Sequence, residues 1–262
     1  MKQYLLPVGL ALVVILGMNF LLNNKPPNQS AFDERREKLI DSLQYPNAKD
    51  LERMEADMEK ASGATKTALL RQLSDSWMQL NQPSIATDYL RQLADNEPGY
   101  ENYMRAGSAM RSLIDFEPDD NLRVNLVYGA RYCFETAEKL KPGDLDARIG
   151  LAAVLVSGTN QPMEGIMMLR ELDAENPENT AINLELGKFS VMSGQFDKAI
   201  ERFSSVLQKD SLNLQARYMI AQAYLGQQDT SQAIGQLERI KSLTTDPTLV
   251  EQVNAEIKNL EH

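Results

Sequence analysis

A recurrence at a fixed period constrains this chain more than any other feature. Ala86, Gly165, Ala199 and Ala233 fall at one position of a repeating block. Leu90, Leu169, Phe203 and Leu237 fall at a second, and Leu93, Leu172, Val206 and Ile240 at a third. The blocks in register are Thr67–Tyr100, Asp146–Asn179, Thr180–Asn213 and Leu214–Pro247, each of 34 residues. A chain built this way buries a core only by stacking neighbouring units, so it is a scaffold first.

The block Thr180–Asn213 shows the pattern most fully. Leu186-Gly187 stands in its first half, Gly194 marks the turn, and Ala199, Phe203 and Val206 form an apolar face in its second half. Gly187 and Ala199 are small where two helices cross closely, Phe203 fills the space toward the next unit, and Gly194 tolerates positive φ. The next block has Ala221, Tyr224, Ala233 and Leu237 at matching positions, and the first has Trp77 where Tyr224 stands later. The block Asp146–Asn179 departs more, with Gly165 in place of alanine and Pro162 opening its second helix. In period and in these spaced residues the chain resembles the tetratricopeptide-repeat family, two antiparallel helices per unit. Ser190 departs from the tyrosine usual there. The resemblance implies an all-α fold: a right-handed superhelix, or α-solenoid, of about five helix pairs.

The stretch 101–145 does not fit the standard length. It reads as an expanded fifth repeat: a helix Tyr100–Phe116, an enlarged turn Glu117–Asp120 and a long helix Asn121–Leu140. The array then covers 67–247. Residues 248–262 close it as a capping helix, with Asp246 as N-cap, Pro247 at the first helical position, and Leu249, Val250, Val253, Ile257 and Leu260 at helical spacing. Ahead of the array, within 25–66, Ser30–Gln44 reads as a charged helix opened by a capping box of Ser30 and Asp33. Phe32, Leu39, Ile40 and Leu43 form its thin apolar stripe, and Pro46 ends it. Asn47–Ala61 follows, with Leu51, Met54 and Met58 on one side. These helices are expected to pack on the array, the first alternatively serving as a stalk.

Residues 1–24 carry a different signal. From Tyr4 to Leu22 there are 19 residues without a charge, close to the ~20 that a helix needs to cross a bilayer. No small-x-small cleavage site follows, only Asn23-Asn24-Lys25-Pro26-Pro27, which favours an uncleaved transmembrane signal anchor over a secretory signal peptide. The expected placement is the inner (cytoplasmic) membrane, single-pass, with the C-terminal array on the periplasmic side.

Thirty-seven acidic against 27 basic residues give a net charge of −10, opposite to the basic footprint of nucleic-acid binding. Cys133 is the only cysteine, so no internal disulfide forms, and its place beside Phe134 suits a buried thiol. The lone histidine, His262, is terminal. Asp115, Glu117, Asp119 and Asp120 lack the spacing of a calcium loop, and no phosphate loop or His-Glu metal motif occurs. Met163, Met167 and Met168 read as core. The expectation is a protein without catalysis, metal or cofactor.

Binding remains. In the family the first helix of each repeat lines a groove. Carried onto this sequence, the groove positions are Arg71, Asp75 and Met78, then Leu184, Lys188 and Val191, then Tyr218, Gln222 and Leu225. Gly150, Val154 and Ser157 make a low apolar floor in the middle unit. This mixed surface suits a peptide segment and lacks the asparagines of the family's carboxylate clamp. The resemblance thus implies a membrane-anchored interaction scaffold binding a protein or peptide partner in envelope protein assembly, chaperoning or secretion. The alternative is a structural or oligomerising subunit of a fixed membrane complex, of the kind serving cytochrome c maturation, with homo-oligomerisation open.

Overall fold

The computed structural model describes residues 30–41, 48–158 and 162–261. These residues form thirteen helices and no strand. The apolar segment Tyr4–Leu22 lies outside them, as do Leu43, Gln44, Pro46 and His262. Among the described residues no helix is long and apolar enough to cross a membrane. Whereas the repeat pattern suggests one array over 67–247, backbone contacts divide the chain into two compact units, Met1–Pro142 and Gly143–His262.

The first unit contains α1 (Ser30–Asp41), α2 (Ala48–Lys60), α3 (Gly63–Gln79), α4 (Pro83–Asn96), α5 (Tyr100–Leu113) and α6 (Asp120–Leu140). Consecutive helices pack together, and α1 also lies against α4 and α6. Phe32, Leu39 and Ile40 are buried, so the thin stripe of α1 does face the array. The Ser30 side chain of the expected capping box lies outside the described residues, and Asp33 pairs with Arg36.

Arg36 fastens α1 to α4. Its guanidinium lies 5.3 Å from the centroid of the Tyr89 ring and donates to the Tyr89 hydroxyl at 2.9 Å. That hydroxyl donates to Glu55 of α2 at 2.6 Å. Burial holds the Tyr89 hydroxyl far above the ordinary tyrosine range, so it remains a donor. With α1 on one side and α3 on the other, α4 is buried continuously from Ser84 to Tyr89. Leu90, which the repeat register assigns to the core, is only half-buried, and Tyr89 is the fully buried side chain.

The antiparallel pairing of α3 and α4 is set at both ends. Thr67 near the start of α3 donates to Glu97 beyond α4 at 2.7 Å, and Ser74 donates to the Ala86 carbonyl at 3.0 Å. Leu70, Leu73 and Trp77 lie fully buried between them. In the expanded repeat α5 ends at Leu113, short of the expected Phe116, and Asp119 caps α6 by accepting from the amides of Asn121 and Leu122. Cys133 is completely buried, and burial pushes its thiol up to about 12. It is therefore a neutral packing group at physiological pH.

The second unit contains α7 (Leu145–Gly158), α8 (Pro162–Glu175), α9 (Thr180–Met192), α10 (Phe196–Lys209), α11 (Leu214–Gly226), α12 (Thr230–Leu243) and α13 (Pro247–Leu260). Asp144, Asn179, Asn213 and Asp246 each accept from amides of the first turn that follows, so the caps recur with the repeat. The turns recur too. Asn81 in the first unit, and Gly194 and Gln228 in the second, hold φ of 56°, 72° and 63° at the same repeat position. Only at Gly194 is that conformation free of side-chain strain.

Phe203 packs with Ala216, Ile220 and Ala223, which joins α10 to α11 as its position requires. A Cβ at Gly187 would lie 2.6 Å from the Phe203 ring. Gly165 is where the sequence departs from alanine, and the reason is local: a Cβ there would stand 2.4 Å from the backbone oxygen of Ala152. Val253 and Ile257 of α13 close the end by packing on Ala221, Ala233, Leu237 and Ile240. The methionine cluster differs from expectation. Met168 packs on the core, but Met163 and Met167 are 60% and 58% exposed, because they fall on the outer face of α8.

Candidate protein-binding face

Six of the nine groove residues belong to the second unit, where the first helices stand in a row, α7 beside α9 and α9 beside α11. On α9, Leu184 and Val191 are half-buried and pack against the cluster around Phe203. Lys188 stands between them and pairs with Glu185 at 3.0 Å, so its charge is already matched. On α11, Leu225 packs into the last core cluster. Gln222 donates to Glu256 of α13 at 3.1 Å, and the hydroxyl of Tyr218, 39% exposed, lies 3.5 Å from the same oxygen. The face is thus an aliphatic floor with a few polar side chains above it. Its C-terminal end already holds one carboxylate, supplied by the chain itself.

The other expected positions are placed differently. Gly150 and Val154 are buried, because α7 is apolar on almost every side, so only Ser157 is open to solvent. Arg71, Asp75 and Met78 are exposed on α3 in the first unit. Arg71 lies 3.5 Å from Glu97. No first helix of the same unit stands beside α3 there, since α5 contacts α4 and α6 instead.

Sequence reasoning missed a cleft in the second unit of about 580 Å³. Its lining includes Arg170, Asp173, Asn183, Phe189, Ser190 and Arg202. Arg202 of α10 reaches across to Asp173 of α8 through two bonds of 2.8 Å and donates to Asn183 at 2.9 Å. Ser190 was the available signal. It stands where the next repeat has Tyr224, and its hydroxyl turns back to the Leu186 carbonyl at 2.8 Å.

Residues 190–257 match the family model of the tetratricopeptide repeat. That segment carries tetratricopeptide repeats. No curated protein matches the chain. Among solved structures it is similar to a tetratricopeptide repeat protein from Parabacteroides merdae, at 14% identity and a TM-score of 0.55, over 88% of this chain and 86% of that one. A tetratricopeptide protein from Thermus thermophilus matches at 16% identity and a TM-score of 0.53, over 72% and 97%. PilW, described as a type IV pilus biogenesis factor, matches at 17% identity and a TM-score of 0.51, over 76% and 87%. At these identities the repeat fold is what the likeness establishes.

Proposed function

We propose that this repeat protein is a non-catalytic scaffold that binds peptide segments or partner proteins along the first helices of its second unit. The observation that carries this is the row α7, α9, α11, on which Lys188, Tyr218 and Gln222 stand beside the half-buried Leu184, Val191 and Leu225. An aliphatic floor with a few polar groups gives a peptide both burial and register. The triple variant Lys188→Ala, Tyr218→Ala, Gln222→Ala is expected to lose capture of cross-linked partners from detergent-solubilised membranes. Its helicity should stay unchanged and its Tm fall by only a few degrees, because α13 is held mainly by Val253 and Ile257. Capture at wild-type yield would place binding elsewhere. One stoichiometric partner would indicate a subunit of a fixed complex, and heterogeneous clients a chaperone.

The proposed setting is the inner membrane, with Tyr4–Leu22 as an uncleaved single-pass anchor and the repeats on the periplasmic side, serving envelope protein assembly, chaperoning or secretion. The uncharged length of the segment and Lys2 ahead of it support this reading. N-terminal sequencing of the mature protein is expected to return the intact start; a chain beginning near Asn28 or beyond rejects the anchor.

A further inference from the structure

The side chains that meet around Arg202 have counterparts one repeat later, and the two sets differ in charge. Asn183, Arg202 and Asp173 correspond by the 34-residue period to Arg217, Gln236 and Leu207. The arginine has therefore moved from the second helix to the first, and the carboxylate that neutralised it has become leucine. Arg217 donates to the Ser211 carbonyl at 2.9 Å and lies 3.4 Å from the Gln236 side-chain oxygen, both neutral acceptors. Its Nε is buried without a partner. Arg239 stands one turn beyond Gln236 on α12, exposed, and its own bond is a long one of 3.5 Å to Ser242. Among the described residues no carboxylate lies within ion-pair distance of either arginine. Burial and the adjacent Arg239 charge hold the Arg217 guanidinium below its ordinary range, as expected of a cation that lacks a counter-charge.

We infer that Arg217 and Arg239 form a docking point for a carboxylate side chain of an acidic peptide segment from a partner protein. The chain itself shows the ligand chemistry: in the preceding repeat the arginine of the corresponding cluster is satisfied by a carboxylate in two-bond fork geometry, supplied by Asp173. Where Leu207 stands, that group must come from outside. The docking point is separate from the proposed groove, because Arg217 turns toward α12 whereas Tyr218 and Gln222 turn toward α13. Guanidinium suits the role because its planar donors engage a carboxylate through two bonds at once. Local pairing also works against the repulsion that a net charge of −10 imposes on any acidic segment.

The test uses full-length protein and a fluorescein-labelled peptide, acetyl-Gly-Asp-Glu-Asp-Gly-amide, with its Asn/Gln counterpart as control, read by fluorescence anisotropy. The acidic peptide is expected to bind, and the amide control to bind at least roughly tenfold more weakly. Arg239→Gln, an exposed change that leaves the core intact, should weaken the acidic peptide by roughly fivefold to tenfold. Leu207→Asp restores the internal carboxylate of the preceding repeat and should block the peptide while Arg217 remains. If that variant does not fold, Arg239→Gln decides alone. Lys188→Ala should leave peptide affinity unchanged, which separates this site from the groove. Equal binding of the two peptides, or unchanged affinity in Arg239→Gln, overturns the inference. So does competition by inorganic sulfate at constant ionic strength without discrimination between the peptides, since that marks a general anion site.

Discussion

Phe203→Ala is expected to remove about 3–5 kcal/mol of stability, the range for deleting a large aromatic side chain from a packed interior. The ring is fully buried, touches Ala216, Ile220 and Ala223 of the following helix, and fills the space left by the missing side chain of Gly187. None of these neighbours can reach into the vacancy, because three are alanine or glycine and Ile220 is itself fixed in the cluster. The loss should appear in urea unfolding as a lower midpoint of the second unit's transition. A measured loss well under 1 kcal/mol would falsify the assignment of Phe203 as the link between α10 and α11.

Gly165→Ala should also destabilise, by about 1–3 kcal/mol or more, through overpacking. What matters is which atom the new methyl meets. At Gly187 it meets the edge of a phenyl ring, which can turn slightly; at Gly165 it meets the carbonyl oxygen of Ala152 at 2.4 Å, which cannot move without shifting α7. Gly235 gives the opposite sign. It lies inside α12 with nothing within 4 Å of an added Cβ, so Gly235→Ala should stabilise by roughly 0.5–1 kcal/mol. Thermal unfolding of the three alanine variants should therefore rank them Gly235, Gly187, Gly165, from most to least stable. Any other position for Gly165 shows that α7 and α8 are not in close backbone contact.

Repeat arithmetic found the residues whose role is set by their own unit and the next. Ala199, Phe203, Val206, Ala233, Leu237 and Ile240 are all buried, and Asp246 caps α13 as its spacing requires. What it could not find depends on contacts between helices far apart in sequence. The register predicts Leu90 in the core, but α1 covers α4 from outside and Tyr89 takes that place. The same blindness hid Glu256 against Gln222, since a single polar residue in a capping helix carries no periodic signal. Departures from the pattern were informative in retrospect. Gly165 reports a backbone approach, and Ser190 opens a cleft that a tyrosine would fill. Met163 and Met167 share helical spacing with Met168, yet apolar spacing alone does not say which side of α8 faces the core.

The position of α1 decides how the first unit comes apart. By touching α4 and α6 as well as α2, it ties the two ends of the first unit together, so no single helix there can be released without breaking several interfaces at once. In the second unit every contact joins helices that are adjacent or next-but-one in the chain. That unit is built like a zipper, loosened one helix at a time from α13 inward, each step exposing only one apolar face. A tether pulling on the amino-terminal side of α1 would thus act on an element held by three other helices. The α13 end stays pliant enough to yield locally without loss of the whole.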